Sequence, residues 1–161
     1  MALTQLARRV GERLEALDLM LATAESCTGG WVAQAITSIA GSSSSFERGF
    51  VTYTNAAKQE MLGVSAQTLA QHGAVSEATV REMAAGALAH SHAQVALAVS
   101  GVAGPTGGSP EKPVGTVCFG WARAGAAPFS RTEHLSGNRE QVREQAVAIA
   151  LEGVLELLRD G

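Results

Sequence analysis

Lysine is nearly missing from this sequence: ten of its twelve basic residues are arginines, leaving only Lys58 and Lys112. Cysteine is as scarce. Cys27 and Cys118 stand alone, too few for a disulfide scaffold and without the spacing of zinc ligands. The four histidines, His72, His90, His92 and His134, make no pair that would share a metal with a carboxylate. No metal and no cofactor are therefore expected. No apolar run approaches the roughly 18 residues of a membrane span. The opening stretch MALTQLARRVGERL spreads charge among its apolar residues, unlike a cleavable leader. Basic residues gather into no stripe and the formal net charge is −3, which argues against a nucleic-acid partner. Together these absences lead us to expect a cytoplasmic protein that binds neither membrane nor nucleic acid.

What is present fits one globular domain over residues 1–161, with 46% hydrophobic and 17% charged residues. The rarity of lysine gives each survivor weight, because an amine can lose its proton where a guanidinium cannot.

Apolar residues at Leu6, Val10, Leu14 and Leu17 have helical spacing. The run Leu19 to Ala24 is short and apolar, a buried strand that ends at Glu25-Ser26. Thr28 to Ala40 reads as a helix with Trp31, Ala35 and Ile39 on one face. Phe46 to Asn55 reads as a strand, after which Asn55 caps a helix that Gly63 closes. A short helix runs from Ser65 to Gly73. Ser76 caps a longer one over Glu77 to His90, striped by Val80, Met83, Ala84, Ala87 and Leu88. Gln94 to Gly104 is a buried strand leading into a loop. Val114 to Ala124 and Pro128 to Ser136 read as neighbouring antiparallel strands. Asn138 caps the last helix, with Gln141 placed as a capping-box partner. Early alternation of strand and helix followed by a late hairpin predicts an α/β protein, a three-layer α/β/α sandwich on a mixed sheet.

Four stretches are candidates for chemistry. In Glu25-Ser26-Cys27-Thr28-Gly29-Gly30, hydroxyls and a thiol sit where a strand meets a helix, beside backbone N–H groups able to hold an oxyanion. Either Ser26 is a nucleophile, with Cys27 as rival, or Ser26 and Thr28 merely cap the helix. Glu25 either orients its neighbour or is a helix-start acid. In YTNAAK, Lys58 falls at the third position of a helix capped by Asn55. There the helix dipole disfavours a cation and so favours the neutral amine of a general base. Tyr53, the only tyrosine, lies close upstream. The alternative is a solvated lysine and a half-buried tyrosine. The loop SGVAGPTGGSPEKPVGT, rich in glycine and proline, follows a buried strand, where open α/β sheets take ligands. Its Gly101, Gly104, Thr106, Ser109 and Thr116 are candidates for a phosphate cradle, although it is neither a Walker A nor a dinucleotide fingerprint. Arg139, in the first turn of the last helix, runs against the dipole trend unless an anion lies near.

The stretches TAESCTGGWVAQAITSIAGSSSSFERGFVTYTNAAKQEMLGV, HGAVSEATV and SGVAGPTGGSPEKPVGTV resemble the nicotinamide-nucleotide amidase family, the C-terminal domain family of the competence/damage-inducible protein CinA. The resemblance runs from about Thr23 to Arg143. It implies hydrolysis of nicotinamide mononucleotide to nicotinic acid mononucleotide and ammonia, in pyridine-nucleotide recycling. It also implies an α/β/α fold, no metal, and a homodimer or higher homo-oligomer. By resemblance the serine nucleophile falls on Ser26, with assistance from Tyr53 and Lys58. Cys27, Thr28, Gly29, Gly30, Gly101, Gly104, Thr106, Thr116 and Arg139 then fall on the substrate side. A non-catalytic nucleotide-phosphate-binding regulatory module is the alternative. A part in DNA uptake or damage response rests on the family's name alone.

Overall fold

The computed structural model describes residues 2–159 of the chain. Among them are six helices, α1 (Leu3–Ala16), α2 (Trp31–Thr37), α3 (Asn55–Leu62), α4 (Ala66–His72), α5 (Glu77–Ala89) and α6 (Arg139–Leu157). The five strands are β1 (Leu21–Glu25), β2 (Phe46–Val51), β3 (Val95–Gly101), β4 (Thr116–Arg123) and β5 (Phe129–His134). They form one sheet in the order β2-β1-β3-β4-β5. β1 runs parallel to β2 and β3, whereas β4 and β5 add on antiparallel. The α/β fold with a mixed sheet that the alternation predicted is thus the observed one.

Strand period sorts the core into two layers. Along β3, Val95, Leu97 and Val99 pack with Val117, Phe119 and Trp121 of β4 against α1, α2 and α6. The alternate residues Ala96 and Ala98, with Ala22, Ala24 and Ala122, meet Leu62, Leu69 and the Val80, Met83, Ala84, Ala87 stripe of the other three helices. One face is bulky and the other alanine-rich. The small side chains let α5 approach the sheet closely: a Cβ on Gly120 would lie 2.5 Å from the Val80 carbonyl oxygen.

The bulky face centres on Trp121, which is 1% exposed. Its ring stacks between Phe119 and Phe129 at centroid separations of 5.9 and 5.1 Å, and its indole N–H donates to the Ala150 carbonyl at 3.0 Å. Two of the boundaries read from sequence move. α2 begins at Trp31 and not Thr28, because residues 26–30 are taken up by successive turns (Gly29 N–H to Ser26 O, Trp31 N–H to Thr28 O) with Gly29 and Gly30 at φ 60° and 104°. β2 stops at Val51, and Thr54 rather than Asn55 caps α3, its hydroxyl accepting the Ala57 N–H. The capping box between Asn138 and Gln141 is present as predicted.

β1, β2 and β3 all end at the same edge of the sheet. In an open α/β sheet this edge, beyond the carboxyl ends of the parallel strands, is where the connecting loops form a crevice.

Trp121 leaves no room beside α6. A Cβ on Gly153 would sit 2.0 Å from its Cε2. Gly153→Ala is therefore expected to cost about 1–3 kcal/mol, read as a lower urea midpoint with an unchanged slope.

Candidate active site

The turn after β1 is organised by a carboxylate. Glu25 is 1% exposed. Its Oε1 accepts the Thr28 hydroxyl at 2.6 Å and the N–H groups of Gly30 and Val32 at 3.2 and 2.9 Å, and its Oε2 accepts Ala33 N–H at 3.0 Å. Three N–H groups at the start of α2 are thereby satisfied by one buried anion, which the positive end of the helix also favours. Neither Ser26 nor Thr28 caps this helix: the residue at the cap position is Gly30, with no side-chain cap bond. Ser26 is held instead by its backbone, its N–H donating to Val99 O of β3 at 3.0 Å.

That frees the Ser26 hydroxyl for another partner. Lys58 Nζ lies 3.1 Å from Ser26 Oγ, 3.1 Å from the Thr52 carbonyl oxygen and 3.4 Å from the Tyr53 carbonyl oxygen. Lys58 is 1% exposed and sits at the fourth position of α3, one later than the sequence suggests because Thr54 is the cap. Among the described residues no carboxylate pairs with it. Burial pushes its pKa below the ordinary lysine value, and only the nearby Cys27 thiol acts the other way. Lys58 Nζ is placed to donate to all three oxygens, and in its neutral form the two carbonyls accept its two N–H bonds while its lone pair faces the Ser26 O–H. The sequence argument for a neutral amine rested on the helix dipole; in the structure the larger cause is desolvation.

Cys27 lies beside this pair. Burial raises its thiol pKa to about 11, outweighing the opposing pull of Arg143. The thiol is therefore neutral at ordinary pH, a poor nucleophile next to a hydroxyl that has a base.

A cavity of about 220 Å³ opens over Ser26, lined among others by Cys27, Tyr53, Lys58, Gly101 and Arg139. Tyr53 is 60% exposed, more than the half-buried residue expected. Its hydroxyl accepts from Arg139 Nη2 at 3.1 Å rather than meeting the lysine. Arg139 Nη1 donates to Gly104 O at 2.8 Å, tying α6 to the glycine-rich loop. No ion pair with a carboxylate is found for Arg139 among the described residues. Thr28, Gly29 and Gly30 shape the turn without lining the cavity. Thr106 is on the exposed loop, and the Thr116 hydroxyl is turned to Pro113 O and His134. Neither reaches the cavity.

Two lining residues escaped the sequence reading, Ala74 and Val75 from the connection between α4 and α5, while Asn55 of α3 and Ser100 of β3 line the cavity from within candidate stretches. Arg143 is a larger omission. Its Nε donates to Cys27 O at 3.0 Å and its Nη2 to Thr28 O at 3.2 Å, while the guanidinium lies 5.5 Å from the Trp31 ring centroid. Its spacing of four from Arg139 on α6 was the only available signal.

Comparison with known proteins identifies the family of the chain. The family model described as the CinA C-terminal domain matches residues 3–158. The chain is 59% identical over 150 residues to the nicotinamide-nucleotide amidohydrolase PncC of Escherichia coli K12, covering 93% of this chain and 91% of that protein. Among solved structures, a competence/damage inducible protein from Agrobacterium tumefaciens is 47% identical with a TM-score of 0.93, covering 98% of this chain and 95% of the other. A CinA superfamily protein from Klebsiella pneumoniae is 40% identical with a TM-score of 0.95 and full coverage of both chains.

Glu25→Gln removes the charge from a buried acceptor that serves four donors and puts an amide NH₂ among them. It is expected to cost at least about 2 kcal/mol of stability, measured by thermal or urea unfolding. It should also lower turnover by displacing Ser26.

Proposed function

Because the chain belongs to the CinA C-terminal domain family, we propose that it is a nicotinamide-nucleotide amidohydrolase, converting nicotinamide mononucleotide to nicotinic acid mononucleotide and ammonia. The observation that carries the chemistry is the 3.1 Å approach of Lys58 Nζ to Ser26 Oγ inside a buried site without a counter-carboxylate. The substrate class comes from the named relatives.

In the proposed reaction Lys58 takes the Ser26 proton as Ser26 Oγ attacks the carboxamide carbon. The N–H groups after β1 hold the oxyanion. Those of Gly29, Gly30, Trp31, Val32 and Ala33 already have acceptors, while those of Cys27 and Thr28 donate to no oxygen among the described residues. The oxyanion is therefore assigned to Cys27 N–H, on the cavity wall, with Thr28 N–H next behind it in the turn. Lys58 returns its proton to the departing nitrogen and ammonia leaves, giving a Ser26 acyl ester. Lys58 then deprotonates a water that cleaves the ester, and the proton goes back to Ser26 Oγ. Arg139, hydrogen-bonded to the Tyr53 hydroxyl and to Gly104 O, supplies the unneutralised cation at the cavity for the nucleotide phosphate. Tyr53 acts in this scheme by orienting Arg139 and not as a proton relay.

Among the described residues no helix is long and apolar enough to cross a membrane, in keeping with a cytoplasmic enzyme of nucleotide recycling. A homo-oligomer belongs to the same proposal. Sedimentation should give a species heavier than the 16.5 kDa chain.

Ammonia release from nicotinamide mononucleotide tests the reading. Ser26→Ala is expected to fall to background and Cys27→Ala to stay active. If Ser26→Ala turns over like the parent enzyme, the nucleophile is elsewhere. Lys58→Met should lose about 10²–10⁴-fold in kcat. The sign of the pH dependence follows from burial. The neutral amine is the active form, so kcat/KM should rise with pH through a one-proton limb lying below the ordinary lysine value of 10.5. An activity that falls over that range would exclude Lys58 as the base.

A further inference from the structure

The nucleophile turn is gripped from both sides. Glu25 accepts its donors, and Arg143 donates to its acceptors. The bonds made by Arg143 lead to the two N–H groups that donate to no oxygen among the described residues. Arg143 Nε donates to the Cys27 carbonyl, whose peptide carries the Thr28 N–H. Arg143 Nη2 donates to the Thr28 carbonyl, whose peptide carries the Gly29 N–H. That N–H donates at 3.0 Å to the Ser26 carbonyl, and the Ser26 peptide carries the Cys27 N–H. A hydrogen bond accepted at the oxygen of a peptide draws electron density from its N–H and makes it a stronger donor, and such chains polarise cooperatively. One guanidinium thus feeds Thr28 N–H through one peptide and Cys27 N–H through two.

Two further features suit Arg143 to this task. Its ion-pair capacity is not spent elsewhere: among the described residues no carboxylate pairs with it. Its plane is steadied by the Trp31 ring, so the fork that bridges two carbonyls is fixed. It approaches from the carbonyl side of the turn and does not line the cavity, so it has no contact with substrate.

We infer that Arg143 is a positioning residue that holds the Cys27–Thr28 turn and polarises its N–H groups, so that Cys27 N–H meets the developing oxyanion as a fixed and strengthened donor. The inference rests on the reading of Ser26 as nucleophile. Because the charge forms only in the transition state, its loss should fall on kcat and not on substrate binding.

The test compares Arg143→Met and Arg143→Lys with the parent enzyme, with Ser26→Ala alongside. Arg143→Met is expected to lose roughly 10-fold or more in kcat, with KM within twofold and the acid limb of kcat/KM unmoved, since Lys58 keeps its surroundings. Arg143→Lys retains the charge but cannot bridge both carbonyls, and should recover only part of the loss. A kcat equal to the parent's in Arg143→Met, or a loss confined to KM, overturns the inference. Should Arg143→Met lack a cooperative thermal transition, Arg143→Lys decides alone: a selective fall in kcat supports the inference and a parental kcat refutes it. Ser26→Ala separates the two failures. If it is inactive while Arg143→Met is unimpaired, the arginine inference fails by itself. If Ser26→Ala remains active, the reading of the site fails first.

Discussion

The turn that carries Ser26 depends on a buried carboxylate at the end of the first strand. Where β1 stops, the chain must turn and start a helix, which leaves N–H groups without partners in the interior. Glu25 takes up three of them and the Thr28 hydroxyl as well. In most helices a serine or threonine does this work from the cap position. Here the cap position is a glycine in the left-handed region, and the task has moved back to an acid on the strand. The hydroxyl that would have been spent on capping is then available to point at an amine.

The amine arrives by the opposite physical route. Lys58 gains no salt bridge. It is placed among a hydroxyl and two carbonyls and shielded from water, an arrangement that disfavours its charge. Stability is given up for reactivity in such a site. The scaffold around it compensates with an interior of aliphatic residues and a stacked aromatic trio on one face of the sheet, and with a close helix-to-sheet contact on the other.

Much of this could be read before any coordinates. The alternation of strands and helices foretold the layered sheet. The capping box at Asn138 and the α5 stripe were legible because each depends on residues a few positions apart. Lys58 stood out by the rarity of lysine and its position near a helix start. What could not be read was its burial, since that is set by how the Thr52–Tyr53 segment crosses the end of β1. Glu25 reads from sequence as either an orienting carboxylate or a helix-start acid; that it serves three N–H groups of α2 at once is not legible, because residues 28–30 read as helix and form turns instead. Arg143 was hidden for a third reason: it reaches the nucleophile turn from 116 residues away. Local pattern speaks for local bonds only. Tyr53 shows the same limit, its hydroxyl belonging to an arginine on the far helix.

The protonated thiol beside Ser26 sets this site apart from sulfur-based sensors. Peroxide and soft electrophiles attack the thiolate form of cysteine, and Cys27 holds its proton up to about pH 11. A reactive cysteine adjoining the proposed nucleophile would expose an enzyme to oxidative inactivation. Here desolvation keeps the sulfur protonated and burial covers it, so Cys27 offers neither the thiolate nor the access that such reagents need.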